Sequence, residues 1–399
     1  MNTLKFKLLA ISLLVLGISL GQESLFNAQN IISPEINQDH TVVFRVFAPN
    51  AASVKLTGDF LPTEKVTTPY GEMDAPIQVD LTKDENGVWS YTSTKLSPEL
   101  YSYSFIVDGL TITDVNNPFY IRDVASSKNI FIIDDGYADL YTVNDVDHGT
   151  VSKRWYDSPG LKMDRRLTIY TPPGYENSTS SYPVLYLLHG AGGDEEAWIS
   201  LGRTAQIMDN LIAQKKITPM IVVMPNGNVI QDAAPGEGNK GFYKPSFMIP
   251  GTMDGSYEVN FMDIINFVES NYRVKATKSN RAIAGLSMGG FHSMHISRYY
   301  PNTFDYVGLF SAAIMPREDA SGAAVYKNID STLKTQNNNG FKLYWIAIGK
   351  TDFLYKANEE FRAKLDGIGM PYQYRESDGG HIWKNWRIYL SEFAPKLFK

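Results

Sequence analysis

The sequence predicts an all-β, immunoglobulin-like sandwich followed by an α/β part built on a doubly wound, mostly parallel sheet. Three observations carry that prediction. From about Thr41 to Asp134 apolar residues recur with period two between turn signals. From Gly149 onward short apolar runs alternate with stretches of helical period. A glycine-rich turn, Gly285-Leu286-Ser287-Met288-Gly289-Gly290, joins one of those runs directly to a helix.

In the first part, Val42–Phe47, Ser53–Thr57, Val88–Thr92 and Tyr101–Val107 read as strands. Asn86-Gly87, Asp108-Gly109 and Asn116-Asn117-Pro118 are the turns between them. Residues 136–150 are acidic and turn-rich and read as a linker, which places the sandwich at 22–135 and the α/β part at 151–399. In the α/β part the strands are Arg166–Tyr170, Pro183–Leu188, Met220–Met224, Arg281–Ala284, Tyr306–Phe310 and Leu343–Gly349. Helical stretches separate them, among them Thr204–Gln214, Met262–Tyr272, Phe291–Tyr299 and Lys356–Gly367. The stretch from Asn226 to Gly255 is rich in Gly, Pro and aromatic residues and has no clean period, as expected of a lid, a binding wall or a disordered loop.

Composition limits the function. The 399 residues suffice for two domains, and a hydrophobic content of 43% for two cores. A net charge of −6 with no polybasic run argues against nucleic acid as a partner. The absence of cysteine excludes disulfides, thiolate metal sites and a cysteine nucleophile. Residues 1–21 read as a secretory signal peptide: Lys5 and Lys7 precede an apolar core, Leu8–Leu16, and small residues lead to a cut near Gly21. That core is short for a membrane span, so the expectation is an exported, periplasmic or secreted protein with no stable membrane insertion. Asn177-Ser178-Thr179 matches a glycosylation sequon, relevant only in a eukaryotic secretory route.

A serine flanked by glycines two residues away on either side, at a strand-to-helix turn, is the pattern of a nucleophile elbow. Side chains at Gly285 and Gly289 would collide across so tight a turn, and Ser287 is presented at a helix N-terminus. Its partners must follow in the order acid, then histidine. Of six histidines only His381 lies far downstream, in the loop Asp378-Gly379-Gly380-His381. Asp352 follows the uncharged run Leu343–Gly349 and so lies just past a strand's C-terminal end, where ligands collect in open α/β sheets. Asp378 is the other candidate acid, but it shares the loop of His381. Asp352 and His381 also admit plainer readings, as a helix cap and a loop residue. The glycine-rich loop His189-Gly190-Ala191-Gly192-Gly193 follows the strand Pro183–Leu188 and can supply an oxyanion-hole amide, from Ala191 or alternatively Gly192; Met288, after the nucleophile, supplies the second. These parts, in this order, point to hydrolysis through an acyl-enzyme.

With those residues in view, Gly149–Lys399 resembles the esterase D group of α/β-hydrolases, above all carbohydrate esterase family one. Tyr186-Leu187-Leu188-His189-Gly190 with Gly192-Gly193 and Trp198, Met224-Pro225-Asn226-Gly227, the Gly285–Gly290 segment, and Gly379-Gly380-His381 with Trp383, Trp386 and Arg387 carry the likeness. The resemblance implies Ser287 as nucleophile, His381 as base and Asp352 as acid, with feruloyl or acetylxylan ester chemistry and no cofactor. The first part resembles the carbohydrate-binding module at the N-terminus of isoamylases and branching enzymes, on Phe44–Ala51, Val54–Phe60, Gly87-Val88-Trp89, Tyr101-Ser102-Tyr103 and Val107-Asp108-Gly109. Its only tryptophan, Trp89, sits in a strand pattern and is expected in the core.

Trp198, Trp383, Tyr243 and Phe247 are the candidates for an aromatic acyl pocket; packing is the alternative role for each. His292 and His295 are spaced to chelate a metal, but packing behind the nucleophile is the favoured reading, and no metal is expected. Arg203 could recognise a carboxylate or phenol, but a helix-end salt bridge is the favoured reading. The expected function is release of hydroxycinnamoyl groups from plant cell-wall polysaccharide such as arabinoxylan. Its rivals are an acetylxylan or other carbohydrate esterase, an enterobactin-type siderophore esterase, and a glycan-binding protein with an inactive hydrolase domain.

Overall fold

The structure, a computed structural model, describes residues 31–68, 71–314 and 323–399. The expected signal peptide, 1–21, lies outside them. Contacts divide the chain into two compact units, one running to Ser97 and including Ser102–Phe119, the other comprising Pro98–Tyr101 and Tyr120–Lys399.

The described residues of the first unit are all β. Glu35–Ile36, Val42–Phe47, Val88–Thr92 and Thr82–Lys83 form one antiparallel sheet in that order. Val54–Gly58 pairs antiparallel with Gln78–Asp80 on one side and Glu99–Val107 on the other, in a second sheet. Strict alternation in Val42–Phe47 buries Val42, Phe44 and Val46 and turns Phe47 outward. Phe44 meets Tyr103 edge-on at 4.8 Å, joining the inner faces of the two sheets as in a sandwich. Trp89 is not a core residue: it is half-buried, with its indole N–H donating to the Ala48 carbonyl (2.9 Å).

The second unit is built on an eight-stranded sheet: β1 (Thr150–Ser158), β2 (Met163–Thr171), β3 (Val184–Leu188), β4 (Ile221–Pro225), β5 (Arg281–Leu286), β6 (Tyr306–Phe310), β7 (Leu343–Gly349) and β8 (Gln373–Ser377). Their order is β1-β2-β4-β3-β5-β6-β7-β8. β1 and β2 are antiparallel to their neighbours, and the rest are parallel. Successive side chains pack on opposite faces. Leu185 and Leu187 join one core with Trp345 and helix residues Met208, Leu211 and Leu390; Tyr186 and Leu188 join the other with Ile264, Val268, Met294 and Phe361. Helices on both faces bury every central strand, hence the uninterrupted apolar runs in the sequence.

In the second unit two strands and one connecting segment differ from expectation. β1 and β8 had not been expected as strands, because as edge strands they keep polar residues exposed and lack an apolar run. Residues 136–150 are packed rather than a free linker. Ala138, Leu140 and Tyr141 are buried, Asn210 donates to the Leu140 carbonyl (3.2 Å), and the Gly149 N–H donates to Asp209 (2.9 Å). A hairpin precedes them, Tyr120–Asp123 against Ser126–Ile133.

Candidate active site

β5 runs directly into helix Met288–Tyr299, leaving Ser287 alone at the turn with φ 52° and ψ −116°. Such a backbone is strained for any residue with a β-carbon and persists only when its surroundings enforce it. Here the Ser287 N–H donates to the Phe310 carbonyl (2.9 Å), and the Ser287 carbonyl accepts from Ala313 (2.9 Å). Both flanking glycines are obligatory. A Cβ on Gly285 would sit 2.4 Å from the Gly289 carbonyl carbon, and one on Gly289 would sit 2.4 Å from the Leu188 oxygen. Met288 is the first helical residue, so its N–H has no partner within the helix.

Asp352 and His381 come from the loops after neighbouring strands β7 and β8. Those loops are held together by backbone bonds, Lys350 N–H to Ser377 O (2.9 Å) and Thr351 N–H to Gly379 O (3.1 Å). His381 Nδ1 faces both Asp352 oxygens, Oδ2 at 2.9 Å and Oδ1 at 3.1 Å. Asp352 Oδ1 also accepts the Leu354 N–H (2.9 Å), so this residue caps a turn as well as facing the imidazole. The carboxylate is fully buried, and as a pure acceptor it places the ring proton on Nδ1. Nε2 is left as the basic nitrogen. Phe353 and Trp386 flank the ring at 4.6 and 4.9 Å. Asp378 points elsewhere, to Lys350 at 3.0 Å, with its side chain 93% exposed.

The loop after β3 lies against the elbow: a Cβ on Gly190 would be 3.3 Å from Ser287 Cβ. His189, which sequence reasoning treated only as the start of this loop, fastens it. Its Nδ1 contacts the Gly190 carbonyl at 2.7 Å and its Nε2 accepts the Gly227 N–H at 2.8 Å. Burial pushes His189 down to about 4, so the ring is neutral and ties the loop after β3 to the one after β4.

The base of the latter loop is held by Arg165, fully buried in β2, which donates to the carbonyls of Asn226 (2.7 Å), Asn228 (2.9 Å) and Gln231 (3.3 Å). Beside it Arg166 pairs with Glu195 (2.7 Å) and Glu237 (2.7 Å). Sequence reasoning missed both arginines; the available signal was two adjacent cations at the head of a run that otherwise reads as a buried strand.

The four aromatic candidates separate. Trp198 is 1% exposed, and its indole N–H donates to the Leu188 carbonyl (2.9 Å); it is a core ring that supports the strand end. Trp383 is half-buried, edge-on to Trp198 (5.3 Å) and to Trp386 (5.2 Å), so Trp386 stands between it and His381. Phe247 is exposed and its Cα would be 3.2 Å from a Cβ on Gly192. Tyr243 is half-buried; burial and then the carboxylates of Asp194, Asp232 and Glu195 push its phenol up. The long loop therefore reaches the oxyanion loop, and the two tryptophans pack instead.

His292 and His295 do not converge. His292 Nδ1 contacts Glu258 (2.7 Å), whereas His295 Nδ1 accepts from Arg298 (2.6 Å). Among the described residues no group of three or more His, Cys, Asp or Glu is placed to hold a metal ion. Arg203 donates to the Tyr141 carbonyl (2.8 Å). No helix among the described residues is long and apolar enough to cross a membrane.

Comparison with known proteins agrees with this architecture. Residues 158–397 match the Esterase family model, described as "Putative esterase", and residues 32–119 match carbohydrate-binding module 48, the isoamylase N-terminal domain. An endo-1,4-beta-xylanase/feruloyl esterase of Xylanibacter ruminicola is 31% identical over 92% of this chain. The chain spans only 46% of that relative's length. Among solved structures, a ferulic acid esterase is 28% identical with a TM-score of 0.51, covering 62% of this chain and 97% of its own. The enterobactin esterase of Shigella flexneri, at 16% identity and a TM-score of 0.59, covers 90% of this chain and 93% of its own, a likeness of fold alone. With an α/β-hydrolase sheet behind an all-β domain and the family model matched across its second unit, the chain belongs to the Esterase family.

Proposed function

We propose that the chain is a serine carboxylesterase that releases hydroxycinnamoyl groups from plant cell-wall polysaccharide such as arabinoxylan. The observation that carries the reading is the buried Asp352–His381 pair at the same sheet end as a strained Ser287. Ser287 Oγ attacks the ester carbonyl carbon while its proton passes to His381 Nε2. The oxyanion accepts hydrogen bonds from the amides of Ala191 and Met288, each such donor contributing ~3–4 kcal/mol. The C–O bond to the sugar then breaks, and His381 returns the proton to the departing oxygen. Water, deprotonated by His381, attacks the acyl-serine carbonyl; the C–Oγ bond breaks, the free acid departs, and His381 returns the proton to Ser287 Oγ. Asp352 holds the imidazole in one tautomer and stabilises its charged form. No cofactor is required in this sequence of steps.

Three observations support the substrate class: the names of the relatives, the match of residues 32–119 to a carbohydrate-binding module, and Phe247 against Gly192. Export, as expected from residues 1–21, would suit a polymeric substrate. The test is a panel of methyl ferulate, acetylated xylan and a catecholate trilactone, run on the wild type and on Ser287→Ala. The expected result is highest kcat/KM on methyl ferulate and loss of all cleavage in the variant, with an unchanged fold. Faster release of acetate, or preference for the trilactone, would overturn the substrate. Labelling by a fluorophosphonate at a residue other than Ser287 would overturn the nucleophile.

A further inference from the structure

The segment between the two family matches, residues 120–157, is claimed by neither, yet its hairpin reaches the oxyanion loop. Asp123 pairs with Ser126, so Val124 and Ala125 form a two-residue turn. Val124 has φ 52°. A positive φ at the first central position of such a turn is normally given to glycine, and a β-branched residue there is a genuine outlier. Arg122, two residues earlier in the same hairpin, holds the conformation and is itself anchored outside it. Arg122 donates from Nη1 to the Val124 carbonyl (3.0 Å) and from Nη2 to Asp194 Oδ2 (2.5 Å). One guanidinium thus fastens the tip of the hairpin to the end of the oxyanion loop.

The consequence is where the Val124 side chain lies. A Cβ on Gly192 would be 2.7 Å from Val124 Cγ2, 3.1 Å from its Cγ1 and 3.2 Å from Phe247 Cα. The isopropyl group and the Phe247 backbone therefore crowd the same face of this glycine. Val124 itself is only half-buried, so part of its apolar surface stays open. A strained backbone, a clamp and an apolar group set beside the loop that receives the ester carbonyl form one device.

We propose that Val124 is a specificity-determining residue of the esterase site, an apolar wall that favours bulky acyl groups over acetyl. The inference rests on the esterase reading of Ser287 but not on ferulate being the substrate. A large acyl group extends past the oxyanion loop and gains contact with the isopropyl group; an acetyl group does not reach it.

The experiment compares wild type with Val124→Gly on methyl ferulate, p-nitrophenyl octanoate and p-nitrophenyl acetate. Glycine suits the left-handed turn, so the melting midpoint is expected to hold or rise. The ratio of kcat/KM for octanoate, and for ferulate, over acetate is expected to fall about tenfold, equivalent to about 1.4 kcal/mol. A Val124→Ala variant is expected to fall between the two. If wild type ignores methyl ferulate but the octanoate-to-acetate ratio falls, the hydroxycinnamoyl reading fails and this inference stands. Ratios within twofold of wild type on every pair, with the fold intact, would overturn it.

Discussion

Replacing Asp352 by Asn changes the fewest atoms at the most informative place. Both carboxylate oxygens lie within hydrogen-bond reach of His381 Nδ1, and one also accepts the Leu354 N–H. The amide keeps one acceptor, which the Leu354 N–H can hold. That turns the NH₂ group toward Nδ1, which must then accept rather than donate. The proton moves to Nε2, the atom that should take it from Ser287. The charge that would stabilise the imidazolium is lost as well. Comparable substitutions in serine triads lower turnover by ~10²–10⁴, which is about 3–5 kcal/mol of transition-state stabilisation. Because Asp352 is buried and the replacement is isosteric, the fold should survive. Initial rates on p-nitrophenyl acetate and a melting curve are the assay. Asp378→Asn is the control, because that side chain is 93% exposed and pairs with Lys350 outside the site. Turnover within fivefold of wild type for Asp352→Asn, with a large loss for Asp378→Asn, would refute the assignment of the acid.

Two further outcomes follow from the same geometry. Gly289→Ala should abolish activity and soluble folding together, because its Cβ would lie 2.4 Å from the Leu188 oxygen; a soluble variant of wild-type rate would show that the elbow is not rigid. His189 sets a pH dependence. Burial holds it at about 4, below its ordinary 6.5, so the unfolded chain binds a proton that the folded chain refuses. Its stabilising contribution is full above pH ~6.5 and is lost as pH falls toward about 4, on the order of 3 kcal/mol in all. Urea titrations at pH 7 and pH 4.5 should show that loss in wild type and less of it in His189→Gln; equal losses in both would remove His189 as the cause.

The sequence is legible where a physical demand is local. The elbow needs glycine at 285 and 289 for reasons that span five residues, and buried parallel strands need apolar runs, so both stand out without any structure. The Asp352–His381 pair is legible one step further, because chain order and strand ends narrow the candidates. Legibility stops where a side chain's role depends on a distant partner. Trp198 and Trp383 lie close in sequence to catalytic loops, which suggested a pocket. Proximity along the chain carried no information on which way the rings face, and one of them proves to be core. Arg165 is invisible for the converse reason, since its acceptors are carbonyls some sixty residues downstream and any residue offers a carbonyl. Val124 is the extreme case. Nothing in Asp-Val-Ala-Ser announces a positive φ, and a sequence rule would have put glycine there. A device of that kind is read only when the clamp through Arg122 and the packing of Val124 on Gly192 are seen together. The candidate catalytic residues are thus constrained by their own backbone and can be read from the chain. Those that shape what the chemistry acts on are constrained by neighbours far away in sequence, so family membership fixes the reaction more firmly than the substrate.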